Sequence, residues 1–306
     1  MEKKRSIFQS RRALPFLACA AALSWGFAFP FVKLGMAAFA IDAEFTGGKI
    51  LFAGIRFTLA GLLVLLMYRG TVRAEERCRP TGSDWRWMLL FAFVNTAAHY
   101  FFFYIGLSNS YGSRASVIDS LGTFLLVILA AAVFREKMTI RKICGCALGI
   151  GGILLLNIGD LSGGGFTLSG DGMMILCSIF SASGGLLTRV VCKRVNAIFA
   201  TGISLAAGGL MLIAGGIAMG GYLPAINGKG LAVLACLVAI SVTGFSIYNQ
   251  LLANHPVGKV AIYNSLIPVF GVVLSCVFLN ETFEPIYLAA AALVAAGVAL
   301  VNLVGK

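Results

Sequence analysis

Four side chains that carry charge, or can acquire it, lie inside long apolar runs: Lys33, Arg56, His99 and Asp119. A charge at membrane depth costs at least ~2.5–3.5 kcal/mol, so each is expected to face protein or water and marks a candidate site. Lys33 and Arg56 have the chemistry to hold a carboxylate, and Asp119 that to hold an amine or a proton. His99 can relay protons because an imidazole titrates near neutrality. A plainer reading stands beside this one. Arg56 and Asp119 would form a structural ion pair, Lys33 would snorkel to an interface, and His99 would be a hydrogen-bonded packing residue.

Spacing adds neighbours to these residues. Ser116, Asp119, Ser120 and Thr123 share one helical face by their i, i+3, i+4 separation. Asn95, His99 and Phe103 form a stripe on another segment, and Trp25 and Phe29 face one way on a third. The aromatic residues would wall a site for an amphipathic solute, although on membrane helices they also serve as packing or interface anchors. No catalytic or metal-binding set is expected: the chain has two histidines, no HExxH and no P-loop GxxxxGKS/T. Cys144-x-Cys146 places its thiols on different faces of a helix, and the eight cysteines read as small packing residues. None falls in an outside loop, so no disulfide framework is expected.

The elements that must position these groups follow from composition. Of 306 residues, 59% are hydrophobic and 12% charged, with a mean hydropathy of +0.93. A soluble domain is about 45–50% apolar and about 25% charged, so a soluble enzyme is excluded, and disorder with it. Ten segments are long and apolar enough to span a bilayer: 14–38, 50–68, 87–108, 115–134, 143–159, 172–188, 197–219, 230–252, 260–279 and 285–304. Glycine and proline fall mostly between them, as at Gly47-Gly48, Pro80, Gly163-Gly164-Gly165, Pro224 and His255-Pro256. The first segment has a basic start and an Ala18-Cys19-Ala20 sequence like a signal peptide, but its apolar run continues to about Phe39, and we read it as a retained span.

Charge sets orientation. The net charge is +12. With the N-terminus inside, 19 Lys and Arg fall in inside segments and three (Lys49, Arg114, Lys229) outside. That asymmetry predicts both termini in the cytoplasm of a multi-pass plasma (inner) membrane protein, and it makes the basic balance topological rather than a nucleic-acid footprint. At 1.5 Å per residue, Asp119, Lys33, Arg56 and His99 lie roughly 6, 8, 9 and 14 Å from the outer ends of their spans, all in the outer half. The expectation is a polar site open towards the outside. Its three ionised groups carry a net +1, which favours an anionic or zwitterionic solute over a lipophilic cation.

A shift of 145 residues lays 104–159 on 249–304 without a gap. Asn109 falls on Asn254, Ser120-Leu121 on Ser265-Leu266, Glu136 on Glu281, Gly152 on Gly297 and Asn157 on Asn302. Phe103 falls on Tyr248, Asp119 on Asn264 and Thr123 on Pro268. Each unit holds an odd number of spans, so the two copies must insert with opposite orientation. The predicted fold is an all-α integral membrane protein of ten transmembrane helices in two inverted five-helix repeats. A cytoplasmic segment (1–13) precedes the first repeat (14–159), and an outside linker (160–171) separates it from the second (172–306). Inverted repeats are the architecture of alternating-access carriers, with the substrate site near the midplane.

Ser24-Trp25-Gly26-Phe27 with Lys33-Leu34-Gly35, and Ile55-Arg56-Phe57 with Ala60-Gly61-Leu62, resemble the first two helices of EamA-type carriers of the drug/metabolite transporter superfamily. Phe103-Tyr104 through Phe134-Arg135-Glu136-Lys137-Met138-Thr139 resembles their helix 3–4 signature, and Ile267-Pro268-Val269-Phe270 through Asn280-Glu281 its second copy. The resemblance implies a carrier for small metabolites, often amino acids, with a cavity lined by helices 1, 3, 4, 6, 8 and 9. Two departures stand out: Thr123 replaces the usual proline of helix 4, and Asp119 stands where the family is small or apolar.

The expected site residues are therefore Trp25, Phe29, Lys33, Arg56, His99, Phe103, Asp119, Thr123, Tyr248, Asn264 and Pro268. The expected function is secondary transport, as a probable exporter, of small amino-acid-like metabolites, coupled to protons or to the solute's own gradient. The expected partners are a small-molecule substrate and the bilayer, in a monomer or homodimer, with no cofactor and no nucleic acid. The alternatives are a multidrug efflux carrier, a membrane-embedded enzyme lacking any candidate constellation, and a non-transporting sensor lacking a signalling domain.

Overall fold

The structure, a computed structural model, describes residues 7–72, 77–134, 138–158, 166–255, 260 and 262–302. Glu136, the repeat partner of Glu281, lies outside the described residues. So do the triple-glycine run, Pro256, and several basic residues used for orientation, among them Lys3, Arg73, Arg135, Lys137, Lys259 and Lys306.

Among the described residues the regular structure is helical, with no strand. It comprises α1 (Leu14–Ala38), α2 (Thr46–Thr71), α3 (Gly82–Ala92), α4 (His99–Ser108), α5 (Gly112–Asp119), α6 (Leu121–Phe134) and α7 (Ile140–Ile158). It continues with α8 (Met173–Val191), α9 (Ala197–Ala218), α10 (Gly228–Asn254), α11 (Leu266–Leu279) and α12 (Pro285–Asn302). A π-helical stretch, Phe93–Ala98, joins α3 to α4; another, Leu168–Gly172, leads into α8; and a 3-10 turn, Ile262–Ser265, precedes α11. Seven helical stretches are long and apolar enough to cross a membrane, and Leu266–Leu279 and Pro285–Gly297 are shorter apolar helices.

Local sequence explains where these helices begin. Pro15 sits in the first turn of α1, where its missing N–H leaves no bond unmade. Thr81 and Asp84 close a reciprocal capping box on α3. The Asn196 and Asn227 side chains accept backbone N–H groups at the starts of α9 and α10.

Packing reproduces the repeat. α1, which opens the first repeat, packs on α10 and α11; α8, which opens the second, packs on α4 and α6. Each repeat's leading helix thus docks on the later helices of the other, the exchange expected of a pseudo-two-fold axis. Two further pairs, α2 with α9 and α7 with α12, form the flanks. Small residues permit both. A Cβ at Gly61 would stand 2.2 Å from the Ala206 amide nitrogen, and one at Gly297 would stand 2.5 Å from the Gly145 carbonyl oxygen.

The span predicted from 115 to 134 forms one stretch, Gly112–Val133, with a single turn residue, Ser120, that stays right-handed helical (φ −62°, ψ −17°). α5 ends at Asp119 and α6 begins at Leu121. The chain tightens there, with i to i−3 bonds from Ser120 N to Val117 O (3.2 Å) and from Thr123 N to Ser120 O (3.0 Å). Ser178 of α8, whose hydroxyl also lies 3.0 Å from Met174 O in its own helix, sits against this turn. Its hydroxyl lies 3.2 Å from the Ile118 carbonyl oxygen and 3.4 Å from that of Asp119. The second repeat changes from the 3-10 turn to α11 at Ser265-Leu266, the positions onto which the shift carries Ser120-Leu121.

Candidate functional site

The turn at Ser120 and the 3-10 turn before α11 face one cavity of about 140 Å³, walled by α1, α4, α5, α6, α8, α10 and the start of α11. Asp119 ends α5, and Asn264 lies in the 3-10 turn that precedes α11. Both line the cavity. Helix interruptions at the contact of two repeats are where carriers build sites, because backbone and side-chain polar groups there are released from helical pairing. The π-helical stretch beside the cavity belongs to the same pattern: it contains Asn95, and His99 follows directly after it.

Aromatic residues form the wall around α1. The Trp25 ring meets Tyr248 edge-on at 4.9 Å and Phe245 at 5.6 Å, and Phe29 meets Phe103 at 5.5 Å. His99 stacks on Tyr100 at 4.4 Å. Tyr248 OH accepts from Asn264 Nδ2 at 3.0 Å. Trp25 Nε1 is buried and finds no acceptor among the described residues. A buried donor left unpaired costs about 1–3 kcal/mol; the nitrogen lies against Gly244 of α10, where an added Cβ would stand 2.8 Å from it.

Of the residues expected from sequence, Trp25, Phe29, His99, Phe103, Asp119, Thr123, Tyr248 and Asn264 line the cavity. Lys33, Arg56 and Pro268 do not. Lys33 Nζ lies 3.6 Å from Glu281 Oε1. The same carboxylate accepts from Gly112 N at 2.8 Å, Ser113 N at 3.1 Å and Ser113 Oγ at 2.8 Å, joining α1, the start of α5 and the segment after α11. Arg56 is 1% exposed. It donates to Ser241 Oγ at 2.9 Å and Tyr104 OH at 3.2 Å, rather than to Asp119, and its guanidinium lies 4.7 Å from the Phe57 ring centre. The proposed Arg56–Asp119 ion pair is therefore replaced by neutral hydroxyl partners. Pro268 is buried within α11, its carbonyl oxygen 3.5 Å from Ser116 Oγ.

Two further expectations change. The cavity does not reach the end of the molecule that holds Lys33. Its lining runs from mid-depth to Thr188 and Asn249, near the C-terminal ends of α8 and α10, while the Glu281 cluster ties the opposite end. Lys33 and Arg56, the two cations counted towards the expected net +1, lie off the wall, and Asp119 is the acidic group that remains on it. Arg114, assigned to an outside loop, is buried and forms a bidentate pair with buried Asp171, Nε to Oδ1 at 2.9 Å and Nη2 to Oδ2 at 2.8 Å.

Sequence reasoning missed Glu281 as a latch, and Asn249, Ser181 and Thr188 as lining groups. Glu281 had a readable signal, since the 145-residue shift pairs it with another glutamate. It also missed Cys177. The ligand atoms of His99, Asp119 and Cys177 all lie within 4.8 Å of one another, so a set able to hold a metal exists where none was expected.

The chain resembles known proteins along most of its length. It is 29% identical to a chloroplastic WAT1-related protein of Arabidopsis thaliana over 83% of this chain and 63% of that protein, so it spans less than two thirds of that relative's length. It is 25% identical to a probable amino-acid metabolite efflux pump of Salmonella typhimurium over 92% of each chain. A solved crystal structure matches with a TM-score of 0.70 at 18% identity, covering 96% of this chain and 98% of the other, which shows a shared fold. The model of the EamA-like transporter family matches residues 14–158 and again 168–303. The apolar helices, the exchanged packing of two halves and this double match lead to one conclusion: the chain is a multi-pass membrane protein that belongs to the EamA-like transporter family.

Proposed function

We propose that the protein is a secondary carrier that exports a small amine-bearing metabolite, amino-acid-like by preference, by alternating access between two inverted five-span repeats. The carrying observation is that Asp119 and Asn264, at repeat-related turns, line one cavity walled by both halves. In this reading Asp119 holds the solute's amine. The amide side chains of Asn264 and Asn249 meet its acceptor atoms, and the aromatic wall takes its apolar part. Similarity to the Salmonella pump supports an amino-acid-like solute and the export direction.

The topology belongs to the same proposal. Ten spans place both termini in the cytoplasm of the plasma (inner) membrane, with repeats at 14–159 and 172–306 joined by an outside linker. The cavity then opens towards the cytoplasm, and the Lys33–Glu281 cluster closes the outer face. No reaction is catalysed and no nucleic acid is bound. The unit is a monomer or homodimer in the bilayer.

A multidrug efflux carrier is the second reading. The single carboxylate among Trp25, Phe29, Phe103 and Tyr248 favours it, because aromatic faces and one anion also suit a lipophilic cation. Counterflow in proteoliposomes separates the two. Exchange of labelled amino acids, with no exchange of tetraphenylphosphonium, is expected. Exchange of tetraphenylphosphonium alone selects the second reading, and no exchange across a panel of amines, amino acids and nucleosides sinks the carrier.

A further inference from the structure

Three side chains of different chemistry converge where α4, α5 and α8 meet. His99 opens α4, Asp119 closes α5 and Cys177 lies on the inner face of α8. Their ligand atoms lie within 4.8 Å of one another, and Cys177 Sγ is 3.4 Å from Asp119 Oδ1, already the separation of two ligands on one tetrahedral ion. Cys177 is 0% exposed, while His99 and Asp119 line the cavity, so the cluster has a closed back and a front that solutes reach.

The histidine is arranged as metal-binding histidines are. Its Nδ1 lies 3.3 Å from the Asn95 carbonyl oxygen. A carbonyl can only accept, so the proton sits on Nδ1 and the lone pair on Nε2. A backbone carbonyl behind the ligating imidazole is the usual outer-shell partner, fixing both tautomer and ring orientation. Stacking on Tyr100 at 4.4 Å holds the ring as well.

We infer that His99, Asp119 and Cys177 form a three-ligand site for a divalent transition-metal ion of the zinc class, with its fourth position open to the cavity. The ligand set decides the class. A thiolate with an imidazole suits zinc and its neighbours, whereas magnesium and calcium require six or more oxygen ligands. Charge balances: as the metal–sulfur bond forms, the Cys177 thiol releases its proton to solvent, and thiolate plus carboxylate neutralise the ion. The remaining ligand distances close by side-chain rotation. The bound ion would tie α4 and α5 of the first repeat to α8 of the second, and it would occupy the carboxylate to which an amine would otherwise bind. The metal therefore competes with amine-bearing solutes and restrains the exchange between conformers.

The test uses the full chain purified in detergent and titrated with Co²⁺, whose thiolate complexes absorb in the near ultraviolet and whose tetrahedral form has strong visible bands. One equivalent of Co²⁺ developing both bands is expected, with displacement by Zn²⁺ and none by Mg²⁺ or Ca²⁺. Cys177→Ser should abolish the thiolate band while retaining the metal-free melting temperature, and Cys236→Ser should keep the band. His99→Gln and Asp119→Asn should each weaken Co²⁺ binding by at least about tenfold. A thiolate band that survives in Cys177→Ser overturns the site. So does the lack of any band in the unmutated protein, a result that does not depend on how a variant folds. No transported solute enters this measurement, so it fails or succeeds separately from the counterflow experiment.

Discussion

At one end of the molecule charge is matched, and within the cavity it is left unmatched. Glu281 receives two backbone N–H groups, a hydroxyl and the Lys33 ammonium, each partner from an element that closes that end. Asp119 has a thiol at 3.4 Å and no cationic partner among the described residues. Both carboxylates lie at joints between helices, and both are largely withdrawn from solvent. A carboxylate whose charge is matched by the protein holds a conformation. One without such partners is relieved of its desolvation cost by taking up a proton or by meeting a cation, and so is free to exchange one for the other.

Removing the unmatched charge should have the largest effect. Asp119→Asn is expected to lower affinity for an amine-bearing solute by about 3–5 kcal/mol, a factor of 100 or more, the cost of breaking a buried ion pair. The melting temperature without solute should hold or rise. Counterflow and thermal shift check this pair of results, and an unfolded variant would instead assign Asp119 to structure.

Glu281→Gln comes next. It keeps the side chain's shape but removes charge-assisted bonds to Gly112 and Ser113, each worth roughly 1.5–3 kcal/mol when made to a charged group, together with the weaker contact to Lys33. The expected outcome is release of the latched end, read as faster labelling of Lys33 by a membrane-impermeant amine reagent. Unchanged labelling would mean that the cluster does not hold the closed form.

Trp25→Phe should have a smaller effect, on stability. It keeps the aromatic wall but deletes the unpaired buried N–H, so stability should rise by up to about 1 kcal/mol, read as a higher melting temperature. A lower melting temperature would show that Nε1 is satisfied within the protein. Smallest of all is Lys33→Met, since a 3.6 Å contact at a partly exposed ammonium contributes at most about 1 kcal/mol. Its labelling assay is replaced by the transport rate, which should change less than about fivefold.

Much of this was legible in the chain itself. Hydropathy located the apolar segments, the 145-residue shift exposed the repeat, and i, i+3, i+4 spacing put Asp119, Ser120 and Thr123 on one face. The shift even pairs Asp119 with Asn264, which the fold then sets on the wall of one cavity. Depth was the misleading coordinate. Lys33, Arg56 and Asp119 have similar distances from the outer ends of their helices, yet one joins the latch, one is sealed behind the wall and one faces the cavity. Distance along a helix says nothing about which neighbour a side chain meets around it.

What the sequence determined alone was the membrane as solvent, the two-fold repetition and the presence of one intramembrane carboxylate, because all three depend on residue type and period. Which charge stays uncompensated was decided by the tertiary structure. Glu281 reaches back across the repeat interface to Gly112, and Ser241 of α10 takes the guanidinium that Asp119 was expected to hold. Cys177 of α8 arrives behind Asp119 from 58 positions away in the chain. Those meetings follow from helix rotation and close packing of two halves, and no local pattern encodes them.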